Sequence, residues 1–331
     1  MTETNLAQAV EATNAAAAYD TNVKFLLADK QILSWILKYT IREFQDMTLE
    51  EITGCIGDKI EVAAVPVDPG LTNLGRMQES LTEDNIPGEG VIRFDIRFQA
   101  YHRDSEMKFL INIEAQKSSD PGKLGYHLEN RIVFYLARMI SAQKFTEFHG
   151  SNYDDLKKVR SIWICMDNQE NGDSIEELQL VRKMVFGPKQ ESSEMDLMQG
   201  IIINIRDGEN IEPSRNILIA MLEHLLSRVN TEEKKRILEE EYGMIMTVEL
   251  ERRMQTMCNL SENILEKGKV EGELNCSRSA IIDLLEDLGE IPEDICSMIN
   301  TEERTDTLRL WLKAAARAKS IEEFQSHIEK G

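Results

Sequence analysis

The sequence predicts a mixed α/β fold in which a mixed sheet is flanked by helices and followed by an all-helical C-terminal region. Residues 91–101 and 107–117 alternate between apolar and polar side chains, which is typical of half-buried strands. Apolar residues recur at three- and four-residue steps over residues 22–45, which predicts a helix. Strand signals disappear after about residue 214, and helical periodicity dominates the rest of the chain.

These patterns divide the chain into three regions. We expect an N-terminal tail over residues 1–20, an α/β domain over residues 21–230 and an acidic helical region over residues 231–331. The α/β domain should contain, in chain order, a helix over 22–45, an irregular Pro- and Gly-containing stretch over 61–90, strands over 91–101 and 107–117, a helix over 124–148, and apolar strands over 159–166 and 200–205.

Composition excludes several classes of protein. With 42% hydrophobic residues, the 331-residue chain can bury a substantial core. No apolar run is long enough to cross a membrane, and the N-terminus lacks the basic start and apolar centre of a signal peptide. The five cysteines are widely spaced without a CxxC pair, which predicts reduced thiols. We therefore expect a cytoplasmic globular protein with no membrane partner.

The charge distribution is uneven. The formal net charge is −21, from 59 acidic and 38 basic residues, and acidity of this size argues against a polyanionic ligand. Residues 91–160 nevertheless hold 12 bases and 9 acids, whereas residues 231–331 hold 14 bases and 23 acids. A positively balanced segment in an acidic chain is typical of an anion site, although three charges over 70 residues are also within ordinary scatter.

Two carboxylates are expected to face each other across the first two predicted strands. If the turn is centred on Asp104 and Ser105, facing residues have numbers that sum to 209, which places Asp95 opposite Glu114. Facing residues have Cβ atoms about 4.5–5.5 Å apart, and like charges at that distance are destabilising. A divalent cation between them would offset this cost, and Mg²⁺ prefers such oxygen ligands. The alternative is two solvated surface carboxylates.

The order of elements resembles the core of the PD-(D/E)xK nuclease superfamily. Within it, the chain is similar to the PD-(D/E)xK nuclease family transposases, which include recombination-promoting nucleases. The segments that carry the resemblance are YDTNVKFLLADKQILSWILKYTIREF, VPVDPGLTN, EDNIPGEGVIRFDIRF, INIEAQK, ARMISAQ, YDDLKKVRSIWICM and MCNLSENILEKGKVEG. The resemblance implies a restriction-endonuclease-like core and a metal-dependent DNA endonuclease that acts in DNA recombination or mobility.

The resemblance also implies roles for individual residues. Asp95 and Glu114 match the metal-binding aspartate and the Glu of the ExK element, and with the backbone carbonyl of Ala115 they would hold Mg²⁺ or Mn²⁺. Gln116 stands where ExK has lysine, and it would orient a water molecule. Lys117 is adjacent, but strand alternation sends its side chain to the opposite face.

Four residues of the helix after the second strand share one face. His127, Arg131, Tyr135 and Arg138 are spaced by four, four and three residues. Such a face could contact DNA phosphates and stack on a base or sugar. A solvated basic face is the alternative.

Two further features have more than one interpretation. Asp20 and Lys24 share one turn of the first helix, and we interpret them as an N-cap and a surface lysine. The resemblance offers an alternative, because in related proteins a polar residue of that helix reaches the metal site. In the acidic helical C-terminal region, the segment LEEEYGMIMTVELERRMQTM suits an amphipathic helix. Such a helix could form a homo-oligomer, or it could pack within its own chain. The second functional hypothesis is accordingly a catalytically weak or inactive nuclease-fold protein that acts as a binding or oligomerisation module.

Overall fold

The computed structural model describes residues 17–63, 83–86, 90–102, 107–166, 172–187, 196–206, 212–227 and 229–328, and only the backbone of 83–86, 90–93 and 261–268. One compact unit spans Ala16–Leu260, and Ser261–Gly331 belong to a second. Among the helices in these ranges, none has the length and apolar character needed to cross a bilayer.

A six-stranded mixed sheet forms the centre of the first unit. In chain order, the strands are β1 (Ile56–Val62), β2 (Glu83–Ile86), β3 (Gly90–Arg93), β4 (Ile96–Tyr101), β5 (Lys108–Gln116), β6 (Lys158–Cys165), β7 (Ser174–Gln179) and β8 (Met198–Asn204). The sheet order is β1-β4-β5-β6-β8-β7, and β2 pairs separately with β3. The strands β5, β6 and β8 are parallel, while β1, β4 and β7 pair antiparallel with their neighbours.

The predicted register of β4 against β5 is confirmed, but the predicted single strand over 91–101 is wrong. All six paired positions, from Ile96 with Ile113 to Tyr101 with Lys108, have numbers that sum to 209. The strand is broken at Phe94 and Asp95, which separate β3 from β4. Phe94 consequently packs in a different apolar cluster from Ile96, although simple alternation predicts one face for both.

Two predicted helices are also interrupted. Helix α1 covers residues 17–27 and α2 covers Lys30–Thr40, because the Asp29 carboxylate caps α2 by accepting a hydrogen bond from the Gln31 amide. The helix expected over 124–148 is divided into α4 (Pro121–Leu124) and α5 (Leu128–Ser141). Gly125 ends α4 in the left-handed region, with φ at +77°.

Apolar side chains cover both faces of the sheet. On one face, buried residues of α1, α2 and α6 (Ile217–Leu226) join the larger core. On the other face, α5 packs over β5, β6 and β8 through residues that include Ile132, Leu136 and Trp163. The approach of α5 is close at Gly200, where an added Cβ would lie 2.5 Å from Ile132 Cγ2. This contact holds α5 against the sheet and so fixes the side chains that it presents.

The first unit extends past the boundary expected near residue 230. Helix α3 spans Leu49–Cys55, α7 spans Thr231–Glu240 and α8 spans Val248–Glu286. Leu238 of α7 and the α8 residues Leu250, Met254 and Met257 are buried in the larger core, which is why the compact unit ends at Leu260.

The second unit is helical and has its own core. It contains the end of α8 together with α9 (Glu293–Thr301), α10 (Thr305–Ala315) and α11 (Ile321–Ile328). Buried residues of all four helices, among them Ile281, Ile299, Leu308 and Phe324, form a third apolar cluster. The buried apolar residues of these helices therefore pack within the chain.

Candidate active site

Asp95 and Glu114 meet where the β4–β5 ladder ends. The Asp95 amide donates a hydrogen bond to Glu114 Oε1 at 3.1 Å, and the Ala115 amide donates one to Asp95 Oδ2 at 3.0 Å. Each carboxylate thus accepts from the backbone of the opposite segment and takes the place of a ladder bond. This exchange accounts for the strand break, since the Asp95 side chain occupies the position that backbone would otherwise fill.

The Glu114 carboxyl is buried and the Asp95 carboxyl is half-buried, and their negative charges repel one another. The Glu114 residue is 3% exposed, and burial raises the pKa of its carboxyl to about 8, with the charge of Asp95 as the second cause. Burial also raises the pKa of Asp95, although Lys24 lowers it in part. Two carboxyl groups in this condition would be stabilised by a cation between them.

Asn112 belongs to the same row of side chains on β5 as Glu114 and Gln116. Its Nδ2 atom donates to Glu114 Oε1 at 3.0 Å. Its Oδ1 atom is buried and has no hydrogen-bond partner within the described part of the chain. The sequence did reveal that Asn112 shares a strand face with Glu114. Its polar side chain in an otherwise apolar strand was the signal that could have identified Asn112 as a residue of the site.

Lys24 is part of the site, so its interpretation as a surface lysine is wrong. Its Nζ atom lies 2.9 Å from Asp95 Oδ1 and 2.5 Å from Asp20 Oδ2, and the Lys24 side chain is 15% exposed. Asp20 lies within helix α1, which already includes residue 17, and so it is not an N-cap. The i, i+4 spacing of the two residues predicted their ion pair but could not show that Lys24 reaches Asp95.

Arg131 and Tyr135 of α5 lie beside Glu114. The guanidinium group of Arg131 donates to the hydroxyls of Tyr126 at 2.8 Å and Tyr135 at 3.0 Å, and it lies 5.0 Å from the centroid of the Trp163 ring. After burial, the charge of Glu114 is the second cause that raises the pKa of Tyr135, and Arg131 in turn lowers the pKa of Glu114. Two members of the predicted helix face are therefore near enough to Glu114 for their charges to influence its pKa or to be influenced by it.

The other members of that face lie elsewhere. His127 is exposed at the N-cap of α5, and Arg138 is buried, with 9% of its surface exposed.

Gln116 ends β5 and is half-buried. Within the described residues, its side chain makes no hydrogen bond that would fix its orientation.

The donors of this site suit a cation that retains water ligands. Among the described residues, no group of three or more His, Cys, Asp or Glu side chains could hold a metal ion. Mg²⁺, however, is commonly held by only one or two carboxylates, with water and phosphate as further ligands. The amide of Ala115 points toward Asp95, and the N–H and C=O groups of one strand residue share an edge of the strand. The carboxylates of Asp95 and Glu114 and the carbonyl of Ala115 therefore fit Mg²⁺.

Compared with protein-family models, curated proteins and solved structures, the chain shows no match to any of them.

Proposed function

We propose that this chain is a metal-dependent DNA endonuclease with a restriction-endonuclease-like core, acting in DNA recombination or mobility. The observation that carries the proposal is the pair of Asp95 and Glu114 at the end of the β4–β5 ladder. Glu114 is buried, Asp95 is half-buried, and each carboxylate accepts a hydrogen bond from a backbone amide of the opposite segment. Burying two like charges is costly unless a partner compensates them. A divalent cation bound to a phosphodiester would supply that compensation and would make the arrangement functional.

Each residue of the site would have its own role in phosphodiester hydrolysis. Asp95, Glu114 and the Ala115 carbonyl would hold Mg²⁺ or Mn²⁺, which polarises the phosphate and lowers the pKa of an attacking water. Gln116, at the end of the same strand, would accept a hydrogen bond from that water and orient it. Arg131 would bind a phosphate oxygen, since Tyr126 and Tyr135 already hold its guanidinium in place.

DNA binding by this site should be weak and sensitive to salt. The positively balanced residues 91–160 include Asp95, Glu114 and Arg131, and they belong to a chain of net charge −21. Few phosphates can be neutralised by so few bases, so the affinity should be modest, and it should fall as the salt concentration rises because the contacts are electrostatic. Tight binding that is indifferent to salt would contradict this proposal.

A second candidate is a nuclease-fold protein that has lost catalysis and acts as a binding or oligomerisation module in the cytoplasm. Two observations favour it. Gln116 replaces the lysine of ExK, and the ammonium group of Lys24 already occupies one oxygen of Asp95. In that case the C-terminal helices would carry the contact with another copy or partner.

Nicking of supercoiled plasmid DNA in Mg²⁺ or Mn²⁺ separates these candidates. We expect wild-type protein to nick the plasmid and Asp95→Asn and Glu114→Gln to lose this activity. Glu147→Gln is a matched control, because Glu147 also forms a half-buried ion pair with a strand lysine, Lys108, at 2.7 Å, and it should cleave as wild type does. Equal nicking by all four proteins would refute the site, and no nicking in either metal would favour the second candidate.

A further inference from the structure

We propose that Lys24 is a catalytic residue of this site and that its ammonium group contacts the phosphate that is cleaved. This inference rests on the proposed nuclease function. Lys24 reaches the site from α1, outside the strand pair, and its Nζ atom lies 2.9 Å from the Asp95 carboxylate. It thereby places a positive charge at the position where a phosphodiester bound by a cation on Asp95 and Glu114 would accumulate negative charge.

The ammonium group has capacity for another partner. A lysine carries three N–H donors, and Lys24 directs contacts to Asp95 and to Asp20. Within the described residues it has no third partner, so one donor remains for a phosphate oxygen. The side chains of Asp95 and Asp20 are 18% and 46% exposed, so the ammonium lies between a half-buried carboxylate and an exposed one.

The other cations near the site are less suited to this role. Both terminal nitrogens of Arg131 donate to tyrosine hydroxyls, and its plane faces Trp163, so its guanidinium is held in place. Lys117 is exposed beyond the end of β5. Gln116 occupies the strand position where ExK has lysine, but its side chain is neutral. A lysine on a flexible four-carbon stem can exchange an aspartate oxygen for a phosphate oxygen with little movement.

Packing of α1 into the larger core fixes the backbone position of Lys24. Val23, Leu26 and Leu27 flank it on the helix, and all three are fully buried in the larger core. A purely structural ion pair would be a weak reason to hold a lysine there, because pairs of this kind add little net stability once desolvation is counted. A charge fixed beside the cleaved bond, by contrast, requires such anchoring.

Plasmid nicking and Mn²⁺ binding by the full-length protein test the inference together. In Lys24→Met we expect nicking to fall by about 100-fold or more, the usual effect of removing one charge-stabilising donor. Lys24→Arg should recover part of this loss, because it retains the charge. Lys235→Met is the matched control, since it removes a lysine that pairs with Glu251 at 3.2 Å on neighbouring helices, and it should cleave as wild type does.

Mn²⁺ affinity, measured by electron paramagnetic resonance, distinguishes catalysis from a structural role. If Lys24 acts on the phosphate, Lys24→Met should bind Mn²⁺ at least as tightly as wild type, because a charge that opposes the ion has been removed. Weaker Mn²⁺ binding by Lys24→Met, or wild-type nicking by it, would overturn the inference while leaving the nuclease proposal intact. Failure of the wild-type protein both to bind Mn²⁺ and to nick DNA would overturn the nuclease proposal and this inference with it.

Discussion

Replacing Glu114 by glutamine should stabilise the metal-free protein at neutral and alkaline pH. Glutamine keeps an oxygen that can accept from the Asp95 amide and from Asn112 Nδ2, and it removes the buried charge. The Glu114 pKa rises from 4.5 to about 8 on folding. Between these two values the folded protein binds more protons at Glu114 than the unfolded chain does, so its stability falls as pH rises.

The size of this effect follows from the same two pKa values. At about 1.4 kcal/mol for each pH unit, the difference between 4.5 and about 8 corresponds to a loss of up to about 5 kcal/mol by pH 9. The pKa of Lys24 is raised from an already alkaline value, so this residue stays charged across the range and does not alter the sign. Glu114→Gln should lack this loss and be the more stable protein at pH 9, by about 3 to 5 kcal/mol.

Urea denaturation in EDTA at pH 5, 7 and 9 provides the measurement. The difference in unfolding free energy between Glu114→Gln and wild type should grow with pH, and saturating Mg²⁺ should reduce it by stabilising the wild-type carboxylate. A difference that is independent of pH would refute the assignment of Glu114 as a buried, uncompensated carboxyl group. A confirmed result would also show that loss of nicking by Glu114→Gln does not come from unfolding.

The remaining predictions concern three other positions. Glu43→Gln should cost about 3 kcal/mol at pH 7, because it removes the nearer carboxylate of Arg160, which is 2% exposed and keeps only Asp196 at 3.9 Å. Despite burial, the basic partners of Glu43 hold its pKa below 4.5, so this stability is present above that pH and lost as pH falls; an unchanged urea midpoint at pH 7 would contradict it. Gly200→Ala should cost about 1–3 kcal/mol by overpacking. Its new Cβ would lie 2.5 Å from Ile132 Cγ2, so thermal melts should show a smaller cost in an Ile132→Ala background, and additive costs would argue against the contact. Arg131→Lys should lower kcat/KM for DNA cleavage by about tenfold, because one ammonium cannot reproduce the fixed guanidinium; equal kcat/KM would show that its geometry is immaterial.

The sequence was sufficient for the strand pairing at the centre of the site. Alternation in the two strands and the short turn between them predicted every paired position from Ile96 to Tyr101, since a one-residue shift would move apolar side chains out of the core. The meeting of Asp95 and Glu114 at the end of this ladder follows from that register. Local pattern therefore placed the two carboxylates opposite one another, whereas their selection as a metal site depended on the resemblance.

Features that depend on tertiary contacts were not predictable in this way. The alternation that placed Phe94 with Ile96 fails because the Asp95 side chain replaces a ladder bond and the chain turns there. Lys24 lies 71 positions before Asp95, and nothing in the period of its own helix indicates which sheet edge it reaches. Arg138 has the spacing of a surface residue and is nevertheless buried.

Direct detection of a bound cation tests the central claim most closely. Mn²⁺ titration followed by electron paramagnetic resonance should show binding to the wild-type protein that is lost in an Asp95→Asn, Glu114→Gln double variant and retained in Glu147→Gln. Added Mg²⁺ should displace the bound Mn²⁺, because both ions use the same oxygen ligands. Equal Mn²⁺ binding by the wild type and the double variant would contradict the claim that these two carboxylates form the metal site.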